Sequence, residues 1–570
     1  MDLYERIIEL SSMGYHCSQM VMIMTLEAIG EENPQLVKAL GGLGGGIGYC
    51  GDTCGCLTGG ACAIGLFLGN LAPQEKEDIQ MKPAVQELYQ WFHKKTEEEF
   101  GAFYCKDIAD CRYLYESDRN TDRTGNIGTM ITLGKTKSVC PICMKVLTAK
   151  KCIGEDGIYL VKECDIHGKF QTLIWEGTAA EYLSWGRENL SAETPVNPKI
   201  KEKSCPDNCG LCEEHERKGC CMILEVTKRC NMHCPVCFAS AGECLENGDL
   251  SIDEIEKQYD FLMDHGGPFN IQLSGGEPTM REDLPEIIHM GREKGFTFFQ
   301  LNTNGIRLAQ EAGYARKLKK AGLNTVFLQF DGVTDDVYQT LRGRSMIELK
   351  EKAVLNCSEA ELGIALVPVI APGVNDMQVG DILKFAMDHM PFVRGVHFQP
   401  ISYFGRCSQQ RPQAPITIPK MLKLIEEQTD GLMKSKDFAG GGAENPYCSF
   451  HASYLKKGER ELKLLEKKSG RGCCCTTSDN SRQYVENQWS YSTKKFDDGE
   501  MTQTDALDEF LIRVHNETFA VSGMIFQDAW NLDLERLKRC YICEVDSDYG
   551  MVPFCAYNLT NSKGIYLYRK

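Results

Sequence analysis

The sequence predicts an α/β protein whose largest domain is a parallel sheet of six strands curved towards a barrel. Two observations support this fold class: six short apolar runs recur along the chain, and amphipathic helical stretches lie between them. The runs occupy residues 222–226, 269–273, 296–301, 325–330, 363–370 and 393–398. Because parallel strands present their carboxyl ends at one edge, we expect the chemistry of this domain at those ends.

The helical stretches between the runs include residues 252–265, 281–294 and 376–390, where apolar residues recur at helical spacing. The first begins behind Ser251 and Glu254, which have the spacing of a capping box. This barrel domain is placed at 196–440. The sequence further predicts a helical Cys- and Gly-rich domain at 1–115, a small metal module at 116–195 and a cysteine-bearing C-terminal region at 441–570.

Composition narrows the classes of function. The 570 residues include 63 Lys and Arg against 80 Asp and Glu, a net charge of −17 that disfavours broad binding to nucleic acid or anionic lipid. No secretory leader is apparent, so the 29 cysteines are expected to be reduced metal ligands in a cytoplasmic protein that binds no nucleic acid. The uncharged stretch 55–72 holds five glycines and two cysteines, which favours a packed redox helix over a transmembrane span.

The strongest motif lies directly after the first barrel strand. Cys230, Cys234 and Cys237 form a Cys-x3-Cys-x2-Cys group, and a Ser-Gly-Gly-Glu-Pro segment at 274–278 ends the second strand. A [4Fe–4S] cluster normally takes four thiolates, so three ligands at this spacing leave one iron open. These motifs together resemble the radical S-adenosylmethionine (SAM) superfamily. A zinc site or unconnected thiols are the alternative.

The resemblance implies a partial (β/α)6 radical SAM barrel in which the three cysteines hold a [4Fe–4S] cluster that binds SAM. It also implies that Gly275 and Gly276 let the backbone approach the methionine moiety, while Glu277 holds its amino group. Other residues at the strand ends are implied to bind the cofactor: Pro278, Asn302, Asn304, Gln329, Asp331 and Asn375. The family often has an aromatic residue just before the last cluster cysteine, whereas this chain has Val236 there and Phe238 just after.

A second metal site is predicted before the barrel. Cys140 and Cys143 form one Cys-x2-ligand knuckle, and Cys164 and His167 form another. Sulfur and imidazole ligands in this spacing suit a mononuclear, tetrahedral zinc or iron centre with a structural or electron-relaying role. The alternative is a set of reduced core cysteines.

Further cysteines lie before the first and after the last barrel strand, and those predicted as metal ligands are Cys205, Cys209, Cys212, Cys448, Cys540, Cys543 and Cys555. A run of three more lies at 473–475. With the segment 553–558 they resemble the superfamily branch that includes tetraether lipid synthase and pterin-methylating enzymes. This resemblance implies one or more auxiliary [4Fe–4S] clusters in the C-terminal region, and leaves the partition of ligands between clusters open.

The N-terminal domain resembles a small redox family named for its C-GCAxxG-C-C pattern. The matching positions are Cys17, the block 54–60, Cys105 and Cys111, with Leu57 in place of the alanine. Either Cys54 or Cys56 is the motif cysteine, and Cys50 and Cys62 are additional candidates. A dithiol or a cluster here would supply electrons to the barrel, in place of a ferredoxin or flavodoxin; the alternative is a structural bundle.

The resulting hypothesis is an enzyme that generates a 5′-deoxyadenosyl radical and couples or methylates an unactivated carbon of a lipid or small molecule. One alternative is methylation of a pterin or another heterocycle. An alternative of a different class is an electron-transfer or metal-handling protein whose barrel has lost turnover. Two residues beyond strand six stay ambiguous at this stage: His397 is a site or core histidine, and Arg406 touches substrate or ends the strand.

Overall fold

A computed structural model describes residues 3–48, 50, 52–70, 78–100, 103–108, 131–186, 192–198, 205–242, 249–407, 415–441, 444–458, 461–465, 478–491, 514 and 516–569. The chain forms two compact units, Met1–Thr129 and Met130–Lys570. Cys111 and the run at 473–475 lie outside the described residues. Among the described residues, no helix is long and apolar enough to cross a membrane.

The first unit is helical, as its apolar spacing predicts. Its helices are α1 (Leu3–Ser12), α2 (Cys17–Ile29), α3 (Pro34–Leu40), α4 (Gly55–Leu68), α5 (Met81–Phe100) and α6 (Cys105–Ile108). Met22 and Leu26 of α2 are buried together with Leu40 of α3, and Cys62 and Ala63 of α4 pack against them. Cys17, Cys54 and Cys105 each stand at the start of a helix or directly before it.

The second unit begins with an antiparallel four-stranded sheet in the order β1-β2-β3-β4. Its strands are β1 (Ile131–Val139), β2 (Val146–Ile153), β3 (Gly157–Cys164) and β4 (Gly168–Glu176). The tight turns between β1 and β2 and between β3 and β4 carry the two knuckles. Helix α7 (Ala179–Trp185) follows, and Thr178 and Glu181 form a reciprocal capping box at its start.

The six predicted barrel strands are confirmed as parallel neighbours in a twelve-stranded sheet. The strands of this region are β5 (Cys221–Thr227), β6 (Val236–Cys237), β7 (Asn270–Gly275), β8 (Phe299–Thr303), β9 (Thr325–Gln329), β10 (Gly363–Val367), β11 (Val369–Ile370) and β12 (Val393–Pro400). Leu224, Leu273, Leu301, Val326 and Ile364 align across five of these strands. All five are buried, as expected for parallel strands covered on both faces.

The helices that cover these strands are α8 (Ile252–Asp264), α9 (Leu284–Glu293), α10 (Ile306–Gln310), α11 (Tyr314–Ala321), α12 (Asp335–Arg342), α13 (Ile347–Glu359) and α14 (Val379–Asp388). The capping box predicted at Ser251 is formed, because Ser251 accepts from the Glu254 backbone and Glu254 reaches back to Ser251. Each predicted helix is present, with ends a few residues inside the predicted bounds.

The C-terminal region extends the barrel sheet at both edges, which the sequence pattern did not predict. The barrel domain ends with β13 (Arg406–Cys407) and α15 (Ile418–Gln428). The elements of the C-terminal region are β14 (Ser449–Gly458), β15 (Glu461–Leu464), α16 (Ser478–Trp489), β16 (Thr518–Met524), α17 (Leu534–Leu537), β17 (Ile542–Asp546), β18 (Gly550–Pro553) and α18 (Phe554–Tyr557). Strand β16 lies parallel beside β12, and β17 lies parallel beside β5. The region therefore belongs to the same sheet as the barrel.

Candidate active site and metal centres

The loop after β5 carries the three predicted cluster cysteines. Cys230, Cys234 and Cys237 are half-buried and line one cavity of about 370 Å³. Cys237 lies in β6, which pairs antiparallel with β13. Arg406 of β13 donates to the carbonyl oxygens of Cys234 at 2.7 Å and Ala241 at 2.6 Å. The loop is thus held in shape through its backbone, so the thiols are left to face the cavity.

The glycines after β7 are required by a close approach of two chain segments. Gly275 has φ +125°, and a Cβ atom there would lie 2.1 Å from the carbonyl oxygen of Thr227. A Cβ atom at Gly276 would lie 2.1 Å from the carbonyl oxygen of Arg229. The backbone N–H of Glu277 donates to that same oxygen at 2.8 Å. The Gly-Gly-Glu segment is therefore fixed against the residues that lead into the cysteine loop.

Glu277 is a buried and highly oriented carboxylate at the cavity. Its Oε1 accepts from the hydroxyls of Thr279 at 2.6 Å and Thr303 at 2.7 Å, and its Oε2 accepts from the backbone N–H of Asn304 at 2.7 Å. Asn304 also donates its amide to Asn231 of the cysteine loop at 2.7 Å. These contacts join the ends of β7 and β8 to the loop and set the direction of one carboxylate.

The other predicted cofactor residues divide into two groups. Asn302, Asn304 and Gln329 line the cavity with the Gly-Gly-Glu segment, whereas Pro278, Asp331 and Asn375 are not among the lining residues. The two carboxylate oxygens of Asp331 each accept a hydrogen bond from the guanidinium of Arg342, both at 2.7 Å. Asn375 is buried and donates to the backbone oxygens of Asp331 and Val369 at 2.7 Å. Asp331 and Asn375 therefore support the strand ends without lining the cavity.

Arg342 is a site residue that the sequence reasoning missed. It lines the cavity, is bound by Asp331, and donates to the carbonyl oxygen of Val236 in the cysteine loop at 2.9 Å. A lone arginine at the end of a helix carries no motif signal. Only the pairing with Asp331, eleven residues earlier, brings its guanidinium to the loop.

The cavity continues into the barrel and has aromatic walls with several polar groups. Gln272 donates to the side-chain oxygen of Asn302 at 2.7 Å, and Nδ1 of His397 lies 2.9 Å from the hydroxyl of Ser522. Other lining residues are Gln300, Phe327, Glu444, Phe450, His451, Tyr484, Trp489 and Tyr541. His397, ambiguous in the sequence, thus lines the cavity, and burial lowers its pKa to about 4.

The four ligands of the predicted metal module are brought together. The Sγ atoms of Cys140 and Cys164 both lie 3.5 Å from Nδ1 of His167. The Sγ atoms of Cys143 and Cys164 are 3.9 Å apart. Tetrahedral ligands at zinc–sulfur distances are separated by about 3.8 Å, so the group fits one ion. Backbone N–H groups, first that of Ile166, lower the pKa of Cys164 to about 6 and favour its thiolate.

The flanking cysteines fall into two groups that meet at Cys543, whose pKa is raised by burial and then by the charge of Cys540. A hydrogen bond with Cys205, then burial, and then the charges of Cys543 and Cys212 raise the pKa of Cys209, so these four thiols are neighbours. Burial, and after it the charges of Cys540 and Cys448, raise the pKa of Cys555.

Hydrogen bonds to sulfur support the second group of cysteines. The backbone N–H of Gln527 donates to Cys555 Sγ at 3.2 Å, and Arg536 donates to Cys448 Sγ at 3.4 Å. Such bonds are typical of sulfurs that ligate iron. Residues next to these cysteines, namely Ser449, Tyr541 and Phe554, line the cavity. The second group therefore borders the cavity that the cluster loop opens into.

Four thiols also meet in the first unit. A hydrogen bond with Cys105, followed by one with Cys56, lowers the pKa of Cys54 to about 3. A hydrogen bond with Cys56 lowers the pKa of Cys17 to about 7. Cys54 and Cys105 are buried, whereas Cys56 is exposed. The two candidates for the motif cysteine, Cys54 and Cys56, thus belong to one group.

Comparison with known proteins gives three family matches along the chain. The C_GCAxxG_C_C family matches residues 15–150, the HMPTM N-terminal zinc ribbon domain matches residues 132–176, and the radical SAM superfamily matches residues 224–386. A 7,8-dihydro-6-hydroxymethylpterin dimethyltransferase of Methanocaldococcus jannaschii is 32% identical over 475 residues, which are 74% of this chain and 93% of that relative. The chain belongs to the radical SAM superfamily.

Two other relatives match shorter parts of this radical SAM enzyme. The Fe-coproporphyrin III synthase of Methanosarcina barkeri is 36% identical over 147 residues, covering 25% of this chain and 35% of that relative. A probable GTP 3′,8-cyclase of Methanothermobacter thermautotrophicus is 31% identical over 177 residues, covering 31% of this chain and 56% of that relative. The superfamily membership makes a SAM-binding [4Fe–4S] cluster the cofactor of the enzyme. A loop with three thiols beside an oriented carboxylate fits that cofactor.

Proposed function

We propose that this radical SAM enzyme methylates a pterin-like nitrogen heterocycle. One observation carries the choice of substrate: the cavity beside the cysteine loop combines aromatic walls with amide, imidazole and carboxylate groups. A flat polar ring can stack on Phe327, Phe450 and Trp489 and still pair with those groups. The pterin dimethyltransferase, similar over 93% of its own length, supports the same substrate class.

A lipid chain is less suited to this cavity. An alkyl chain in the barrel would leave the side chains of Gln272, Gln300 and His451 facing hydrocarbon. Polar groups in contact with hydrocarbon lose hydrogen bonds that water or a polar ring would make, which is unfavourable. The geometry therefore favours the heterocycle hypothesis over the lipid hypothesis.

The cofactor roles are proposed residue by residue. Cys230, Cys234 and Cys237 hold the cluster, and Glu277 accepts from the SAM amino group. Asn302, Asn304 and Gln329 line the remainder of the cofactor subsite, with Arg342 beside them. The bound cofactor supplies the 5′-deoxyadenosyl radical. The protein itself orients the reactants and excludes water, while Pro278, Asp331 and Asn375 support the strand ends.

Two auxiliary centres and one mononuclear centre complete the proposal. Cys205, Cys209, Cys212 and Cys543 hold one auxiliary cluster, and a second uses Cys448, Cys540 and Cys555. Cys140, Cys143, Cys164 and His167 hold zinc or iron. The four thiols of the first unit serve electron supply, alone or with a ferredoxin-type donor. Centres that need reduced thiols favour a cytoplasmic location.

The proposal is tested with the full chain after anaerobic reconstitution. We expect 7,8-dihydro-6-hydroxymethylpterin to stimulate 5′-deoxyadenosine formation, and cells that express the chain to contain pterins with one or two added methyl groups. Cys234→Ala should abolish 5′-deoxyadenosine formation with most of the fold intact, because Cys234 lies on a loop at the mouth. Stimulation by fatty acyl substrates and not by pterins would overturn the assignment.

A further inference from the structure

Glu444 is a buried carboxylate in the cavity that neither the cluster nor SAM accounts for. It is 6% exposed and lines the cavity with its neighbours Gly441 and Ser449. The hydroxyl of Ser449 donates to Oε1 of Glu444. A Cβ atom at position 441 would lie 1.8 Å from that same oxygen, so only glycine leaves space for the carboxylate there.

The surroundings of this carboxylate suit a flat ring that donates hydrogen bonds. Phe450 and Tyr541 also line this cavity, and burial together with the charge of Glu444 raises the pKa of Tyr541. The Tyr541 ring is therefore neutral and can stack on a heterocycle. A carboxylate that lines a cavity can accept charge-assisted hydrogen bonds from a ligand, so the site favours a ligand with N–H donors over an apolar one.

A pterin presents two such donors side by side. Its ring N3–H and its 2-amino group lie on one edge, spaced like two N–H groups of a guanidinium, and a carboxylate accepts both in a bidentate pair. We infer that Glu444 is the specificity-determining residue that binds this amino-pyrimidinone edge of the substrate. The inference rests on the proposed function, since it names the part of the heterocycle that the cavity recognises.

The test compares two ligands that differ only at this edge. The full, anaerobically reconstituted chain is equilibrated by dialysis with a dihydropterin, or with the matching dihydrolumazine, in which oxygen replaces the 2-amino group. The wild type should prefer the pterin by about 10- to 100-fold, the value of one hydrogen bond to a charged group. Glu444→Gln should lose most of this preference. Glu427→Gln, at an exposed position of α15, should keep it.

Iron content and SAM cleavage without substrate are measured for each variant, so that a folding defect is recognised. Glu444→Asp, a second variant, keeps the charge and should keep the direction of the preference with weaker binding. If the wild type binds pterins, and either shows no preference or keeps it in Glu444→Gln, this inference is wrong while the proposed function stands. If the wild type binds no pterin, the proposed function fails, and the role of Glu444 fails with it.

Discussion

The guanidinium of Arg406 donates to the carbonyl oxygen of Cys234 at 2.7 Å. Its other arm reaches Ala241 at 2.6 Å, so one side chain spans both sides of the last cluster cysteine. The strand that carries Arg406 also pairs with Cys237. The loop conformation of the cluster site is therefore set partly from beyond the sixth barrel strand.

We expect Arg406→Gln to loosen the cysteine loop without unfolding the barrel. Removing a charged donor from two carbonyl oxygens costs about 1.5–3 kcal/mol locally. Reconstituted Arg406→Gln should hold less iron and lose its cluster signal faster in air, as followed by electron paramagnetic resonance. Arg316→Gln is the matched control, because Arg316 makes an exposed ion pair with Glu359 at 3.4 Å. Equal cluster lifetimes in both variants would contradict the role of Arg406.

The two auxiliary groups predict separable iron losses. The wild type should bind more than the iron of one cluster, and Cys209→Ser and Cys555→Ser should each remove about one cluster's share. The double variant should lose the sum, because the two residues belong to different groups. Iron analysis after anaerobic reconstitution measures this. Cys357→Ser, at a buried cysteine of α13, is the control. An identical loss in the single and double variants would show one shared centre.

The sequence predicts those parts of this site that are local in the chain. The cysteine loop and the Gly-Gly-Glu segment are each a short stretch of sequence. The six barrel strands are recognisable in the sequence as apolar runs. Arg406, by contrast, is 172 residues from Cys234. Strand β16 contains Ser522 and Gly523 among its apolar residues, and it becomes a strand only because β12 and β14 flank it. Tertiary pairing, which no spacing records, supplies these features.

The metal module should depend on each of its ligands. Cys164→Ser should weaken metal binding at least tenfold and lower the melting temperature, because a small sheet depends on its ion for stability. Bound zinc and iron are counted per chain after dialysis against a chelator. Cys152→Ser is the control, since Cys152 is buried in the neighbouring strand and lies 3.8 Å from the hydroxyl of Thr132. Retention of the metal by Cys164→Ser would refute the site.

Because His397 is buried, we expect the protein to lose stability in acid. Burial lowers its pKa to about 4, whereas the unfolded chain has the ordinary value of about 6.5. Between these values the unfolded state binds more protons, so stability present above pH 6.5 falls as the pH decreases towards 4. From pH 7 to pH 5 we expect a loss of about 2 kcal/mol that His397→Asn removes. Urea unfolding at both pH values measures it, with exposed His289→Asn as control.

The thiols of the first unit allow a test of electron supply. Cys54 and Cys62 belong to the same stretch of chain, at the start and in the middle of α4, but only Cys54 has thiol neighbours that lower its pKa. If the thiol group of Cys17, Cys54, Cys56 and Cys105 relays electrons, Cys54→Ser should slow turnover driven by a biological reductant about tenfold or more. Cys62→Ser should not, because Cys62 packs against buried apolar residues and burial raises its pKa.

A strong chemical reductant separates relay from structure in the same two variants. Such a reductant reaches the barrel cluster directly, so turnover of Cys54→Ser should then equal that of the wild type. Slowing with both reductants would mean that the thiols stabilise the first unit and carry no electrons. Equal turnover of Cys54→Ser and the wild type with both reductants would remove the relay altogether. Because Cys56 is exposed while Cys54 and Cys105 are buried, we expect Cys56→Ser to slow only the reaction with the biological donor, which must enter from the surface.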